Sequence, residues 1–150
     1  MIHILLADDD TDDCLLFKEA LNEVQIKNTL TCVHNGEDLI DILSKASEKK
    51  FQIIFLDLNM PLKNGLECLQ EIKRNLKFEF LPIVIFSTSY DKKISEMLYK
   101  NGAQYYICKP SSFTCLKNVI EFVLSLIASD INNKVKTTQP EKEKFYIELK

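Results

Sequence analysis

Four short apolar runs in this chain each end in residues that can do chemistry. Ile2 to Ala7 leads into Asp8-Asp9-Asp10, Phe51 to Leu56 into Asp57, Ile83 to Phe86 into Ser87-Thr88, and Gln104 to Cys108 into Lys109-Pro110. Singly, each is ordinary: an Asp after a strand caps a helix, a Ser sits in a turn, and Lys-Pro reads as loop. Together they bring carboxylates, a hydroxyl and an ammonium to successive run ends. Clustered carboxylates repel one another and need compensation. A hard divalent cation is the simplest source, and Mg2+ takes few carboxylates while keeping several waters. A carboxylate is also a nucleophile toward phosphorus, giving an acyl phosphate. Phosphoryl transfer asks mainly for positioning and charge neutralisation. In that chemistry the cation and Lys109 supply positive charge, and the Ser87 hydroxyl donates a hydrogen bond to a phosphoryl oxygen.

The elements between these ends must bring them together. The four runs are short and rich in β-branched and aromatic residues, as strands covered on both faces are. Thr29-Leu30-Thr31-Cys32-Val33 alternates and is more polar, which predicts an edge strand. Cys14, Phe17, Leu21 and Val24 follow one face of a first helix, capped by Asp10 or Thr11, with Asp12 and Asp13 at the positive end of its dipole. A second helix follows Asn35-Gly36, a third follows Asn64-Gly65, and a fourth stops near Asn101-Gly102. Residues 112 to about 128 form a fifth. Five β-α units predict an α/β fold with an open parallel sheet, helices on both faces and right-handed crossovers. Such sheets bind ligands beyond the carboxyl ends of their strands, where these chemical residues fall.

Composition narrows the function classes. The chain has 150 residues, which predicts one domain over residues 1–128 and a polar, partly disordered tail over 129–150. A net charge of −3 gives no overall basic face for nucleic acid. No apolar run reaches the ~20 residues that span a bilayer, and the N-terminus does not read as a signal peptide, so a cytoplasmic protein is expected. Five scattered cysteines without a C-x-x-C pair exclude a disulfide framework, and two histidines give poor support to a histidine metal site or a Ser-His-Asp triad. Within the tail, Phe145-Tyr146-Ile147 is a small apolar cluster able to dock.

Leu5-Leu6-Ala7-Asp8-Asp9-Asp10, Leu56-Asp57-Leu58-Asn59-Met60-Pro61 with Gly65, Ile85-Phe86-Ser87-Thr88, and Gly102-Ala103 leading to Lys109-Pro110 occur in an order and spacing that resemble the receiver domain of bacterial two-component response regulators. The resemblance covers residues 2 to about 128. It implies a flavodoxin-like (βα)5 fold with strand order 2-1-3-4-5. It implies that Asp57 accepts a phosphoryl group from the phosphohistidine of a sensor histidine kinase or phosphotransfer protein. Mg2+ would be held by Asp9, Asp57 and the Asn59 backbone carbonyl, with Asp8 reached through water. Lys109 would pair with the phosphoryl group, and the Lys109–Pro110 peptide would be cis. Ser87 and Tyr106 match the hydroxyl and aromatic switch positions: the hydroxyl moves toward the phosphate and the ring follows inward. The Phe86-Ser87-Thr88-Ser89-Tyr90 stretch and the long first helix resemble the stand-alone receivers that partner with bacterial phytochromes. Thr88 stands where the family often has a very small residue. The expected output is a protein contact with a downstream target, with no nucleic acid and no membrane involved.

Two alternatives fit the residues less well. A magnesium-dependent aspartyl-phosphate phosphatase would carry a second Asp two residues after its nucleophile, where this chain has Asn59. A flavin-binding protein of this fold would need a phosphate-binding loop after the first strand, where three aspartates would repel the phosphate. The chemistry is thus expected to be self-phosphorylation and dephosphorylation in a switch, not turnover by an enzyme.

The fifth helix carries two apolar stripes. Phe113, Leu116, Ile120, Val123, Leu124 and Ile127 fall on the face expected to meet the sheet. Cys115, Val119, Phe122 and Leu126 repeat at seam spacing on another, which predicts a homodimer through this helix with the neighbouring fourth helix and fifth strand.

Overall fold

The computed structural model describes residues 1–47, 50–133 and 135–148. Strands β1 (Ile2–Ala7), β2 (Asn28–Val33), β3 (Ile53–Leu56), β4 (Ile83–Ser87) and β5 (Tyr105–Cys108) alternate with helices α1 (Thr11–Asn22), α2 (Gly36–Lys45), α3 (Gly65–Arg74), α4 (Lys92–Lys100) and α5 (Phe113–Asn132). A sixth strand, β6 (Tyr146–Ile147), comes from the tail. All pairings are parallel, in the order β2-β1-β3-β4-β5-β6. The α/β parallel sheet agrees with the sequence reading, but the expected five strands fall one short. The apolar cluster at Phe145 to Ile147 adds the missing one beside β5, and α5 runs past its expected end to Asn132.

Helix starts follow side-chain chemistry. Asp10, not Thr11, caps α1, accepting from the backbone of Asp12 and Asp13. Asn35, Asp91 and Ser112 cap α2, α4 and α5, and Asn64 opens α3 with a capping box closed by Glu67. Each carboxylate, carboxamide or hydroxyl oxygen accepts from a backbone N–H that the first turn leaves without a helical partner. The caps thereby fix where each helix leaves the strand end before it.

Strand alternation divides the core in two. Leu5, Ala7, Ile54, Leu56, Ile83 and Ile85 face α2, α3 and α4. Ile4, Leu6, Ile53, Phe55, Val84 and Phe86 face α1 and α5. There Phe17 of α1 packs edge-on against Phe55 and Phe86, with ring centroids 4.9 and 5.6 Å away. Residues on the central strands β1, β3 and β4 are buried almost without exception, so the atoms at their carboxyl ends sit on a rigid floor.

The two stripes of α5 do not divide as expected. Leu116, Ile120, Val123, Leu124 and Ile127 are buried, but Phe113, at the first turn, is exposed. Val119 of the second stripe is 0% exposed, because α1 lies beside α5 and shares its apolar cluster. The proposed seam therefore loses Val119. Phe122 and Leu126 remain exposed and Cys115 is half-buried.

Candidate phosphoryl-acceptor site

Register places the acids. Ala7 pairs with Leu56, so Asp8 and Asp57 leave adjacent strands side by side. The Asp57 N–H donates to the Ala7 carbonyl at 2.9 Å. Asp8 is 1% exposed and Asp57 6%, while Asp9 is exposed. Carboxylate oxygens of the three lie within 4.8 Å of one another. Oxygen donors of this kind suit a hard divalent cation. Asn59 lies nearby and exposed, and its N–H makes a long contact of 3.5 Å to Asp57 Oδ1.

Lys109 reaches into this cluster from the end of β5. Its Nζ donates to Asp8 Oδ2 at 2.7 Å and to Asp13 Oδ2 at 2.9 Å, and lies 3.8 Å from Asp57 Oδ2. Every peptide among the described residues is trans, including Lys109–Pro110, which corrects the expectation of a cis bond there. Trans is the ordinary preference of X-Pro bonds. Burial opposes the Lys109 charge, but its hydrogen bonds to Asp8 and Asp13 and the charge of Asp57 hold its pKa above the usual range. For Asp57, burial dominates. It pushes the carboxyl up to about 6, against the pull of Lys109 and with the push of Asp8. The site therefore carries more negative charge than one lysine balances.

Ser87 is 0% exposed, and its Oγ has no hydrogen-bond partner among the described residues. An unpaired buried hydroxyl costs desolvation without return. It lies at the end of β4, next to β3, and the neighbouring Thr88 is exposed. Behind Asp57, Gly65 packs so closely that a Cβ there would lie 2.4 Å from the Asp57 carbonyl oxygen. The loop between them turns through Leu62 at φ +69°, a left-handed conformation that non-glycine residues rarely adopt.

The Tyr106 ring is 1% exposed, and its hydroxyl donates to the Ser89 carbonyl at 2.5 Å. The remaining expected residues thus gather around two points, the acidic cluster and the β4–α4 loop.

Sequence reasoning missed two contributors. Asp13 was legible only as a dipole-complementing acid in the first turn of α1, yet it shares Lys109. Its spacing of five from Asp8, on a helix that starts directly over the site, is the available signal. His34 Nδ1 lies 3.0 Å from the Asp8 carbonyl oxygen and 3.9 Å from Cys14 Sγ. Burial foremost, helped by Asp8, pushes the Cys14 thiol up to about 12. Cys14 is thus a packing residue under the site and a poor nucleophile.

Residues 4–121 match the response regulator receiver domain family. The chain belongs to this family. A chemotaxis protein CheY homolog from Campylobacter jejuni is 31% identical over 121 residues, covering 81% of this chain and 91% of that protein. The response regulator Rcp1 from Synechocystis is 29% identical over 126 residues, covering 81% and 86%. Its Mn2+-bound crystal structure superposes with a TM-score of 0.74 over 83% of this chain and 93% of that one, at 28% identity. The phosphorylated cyanobacterial phytochrome response regulator RcpA gives 0.77 over 85% and 94%, at 27% identity. This receiver thus resembles Rcp1 and the phytochrome response regulator RcpA. Receiver domains work as signalling switches rather than classical enzymes. No helix among the described residues is long and apolar enough to cross a membrane.

Proposed function

We propose that this receiver is a cytoplasmic phospho-acceptor switch, with residues 1–128 as the receiver unit and 129–150 as an appendage to it. The phosphoryl donor is the phosphohistidine of a sensor histidine kinase or a phosphotransfer protein. An Asp57 carboxylate oxygen attacks phosphorus, the phosphorus–nitrogen bond breaks, and the imidazole leaves. The observation that carries this reading is Asp57 itself: a buried carboxyl at the end of the central strand, beside two further carboxylates, one lysine and an unpaired hydroxyl.

The donor set fits Mg2+, which Asp9, Asp57 and the Asn59 carbonyl would hold, with Asp8 close by. When bound there, the ion would supply positive charge that Lys109 alone does not. Asp57 supplies the nucleophile, and its ionised form is the reactive one. Lys109, already shared among carboxylates, pairs with the added phosphoryl oxygens. The Ser87 hydroxyl gains the acceptor it lacks and draws the β4–α4 loop toward the site. Tyr106, bonded to that loop, carries the movement to the surface, where a downstream protein target reads it. A homodimer through α5 belongs to the proposal in narrower form, resting on Phe122, Leu126 and Cys115 without Val119.

Incubation with Mg2+ and acetyl phosphate should add one phosphoryl group by intact mass. Asp57→Ala should add none, and a chelator should suppress the reaction. Undiminished labelling of Asp57→Ala would overturn the assignment.

A further inference from the structure

Residues 138–148 lie along β5 and over α4, held by specific bonds. The Tyr99 hydroxyl donates to the Pro140 carbonyl at 2.8 Å, and Gln104 Nε2 donates to that of Thr138 at 2.6 Å. Gln139 Nε2 donates in turn to the carbonyls of Tyr99 and Ala103, both at 2.7 Å. The Tyr106 N–H then donates to the Phe145 carbonyl at 3.0 Å, and β6 continues in register, Tyr106 beside Tyr146 and Ile107 beside Ile147. Phe145 is buried edge-on against Tyr99, at 5.2 Å. Tyr146 lies 4.1 Å from Tyr90 and 5.5 Å from Tyr106, centroid to centroid. This is strand addition to a sheet edge: main-chain bonds give affinity, and alternate side chains find pockets.

Tyr106 also faces the other way. Its hydroxyl bonds to Ser89, two residues beyond Ser87, whose Oγ is buried and unpaired. One residue therefore touches the tail through its ring and backbone and the β4–α4 loop through its hydroxyl.

We propose that the tail is a built-in peptide ligand of the β5 edge, and that its docking and phosphorylation of Asp57 strengthen each other through Tyr106. This rests on the reading of Asp57 as phospho-acceptor. Its direction follows from packing. With Phe145 and Tyr146 against it, the Tyr106 ring is held inward, the position that the resemblance to receivers implies for it when Ser87 is drawn to a phosphoryl group. A chain that already populates the competent arrangement binds its ligand without first ordering it. Linkage makes the effect reciprocal, so the occupied site holds the tail more firmly.

The test titrates beryllofluoride, a phosphoryl mimic, with Mg2+ into the full-length chain and into full-length Ile147→Asp, Tyr146→Ala and Asp57→Ala. Ile147→Asp places a charge in the pocket of a buried residue; Tyr146→Ala removes only the outer aromatic, should the first fail to fold; Asp57→Ala removes the acceptor carboxylate. Circular dichroism checks the fold, and hydrogen exchange at residues 145–148 reports docking. Loss of docking should weaken the apparent affinity at least about fivefold. In the unmutated chain, binding should slow exchange at these amides. Equal affinity in a folded, undocked variant, or faster tail exchange on binding, overturns the coupling alone. No binding by the unmutated chain, or full binding by Asp57→Ala, overturns the phospho-acceptor reading and the coupling with it.

Discussion

The acidic end of the sheet and the β5 edge meet at neighbouring strands, yet they are built in opposite ways. At the first, Asp8, Asp13 and Asp57 share one lysine, burial raises Asp57, and the Ser87 hydroxyl has no partner among the described residues. At the second, Gln104 and Tyr99 each give a hydrogen bond to the tail, Gln139 of the tail gives one back to the Tyr99 carbonyl, and the rings of Tyr90, Tyr99, Tyr106, Phe145 and Tyr146 pack together. One region holds free energy in reserve that a cation and a phosphoryl group would release. The other has already released it. A switch needs the first kind of region for its input and the second for something definite to move.

The largest test of this contrast is Lys109→Ala. Removing the one cation that the described residues give this buried charge cluster should destabilise the metal-free chain by about 3–5 kcal/mol, with Mg2+ restoring most of the loss. Thermal unfolding with and without chelator measures it, and an unchanged midpoint would mean the cluster is not charge-limited. Asp57→Asn should act in the opposite sense. The folded value of Asp57, about 6, lies above its ordinary value of 3.8. The folded state therefore keeps a proton that the unfolded state has lost, and its stabilising effect disappears as pH rises from about 4 through about 6. In chelator above that range the variant should be more stable by on the order of 1–3 kcal/mol, and near pH 4 the gain should vanish. A pH-independent difference would place its cause outside the ionisation of Asp57.

Two hydroxyls sharpen the comparison further. Tyr106→Phe loses a satisfied hydrogen bond and should cost about 1 kcal/mol in denaturant unfolding. Ser87→Ala removes a hydroxyl that bonds to nothing and should stay within about 0.5 kcal/mol of the parent, or gain slightly. If Ser87→Ala proved the costlier of the two, the hydroxyl would not be idle at rest.

Most of the site was legible because it follows strand ends. Strand ends are local: an apolar run stops, a polar residue follows, and parallel registry does the rest. That is how Asp8, Asp57, Ser87 and Lys109 could be named before any geometry was known. What the sequence concealed depends on neighbours. β6 is two residues long, too short for a period, and exists only because β5 offers it an edge. Val119 sits at seam spacing, but spacing gives an angle around a helix and not what lies at that angle, here α1. Asp13 reads as an ordinary first-turn acid until Lys109 arrives from nearly a hundred residues away.

The short sixth strand has one more consequence. An uncovered β5 would present unpaired backbone groups next to buried Tyr106 and Ile107, a template on which another chain could add and another after it. β6 satisfies that edge and then stops, flanked by Lys142, Lys144 and Glu148. The far edge, β2, carries Asn28, Thr29 and Thr31. The sheet thus ends on one side in polar residues and on the other in a strand too brief and too charged at its borders to be copied. The tail proposed to take part in the switch is thus also the segment that leaves this edge of the sheet without a template.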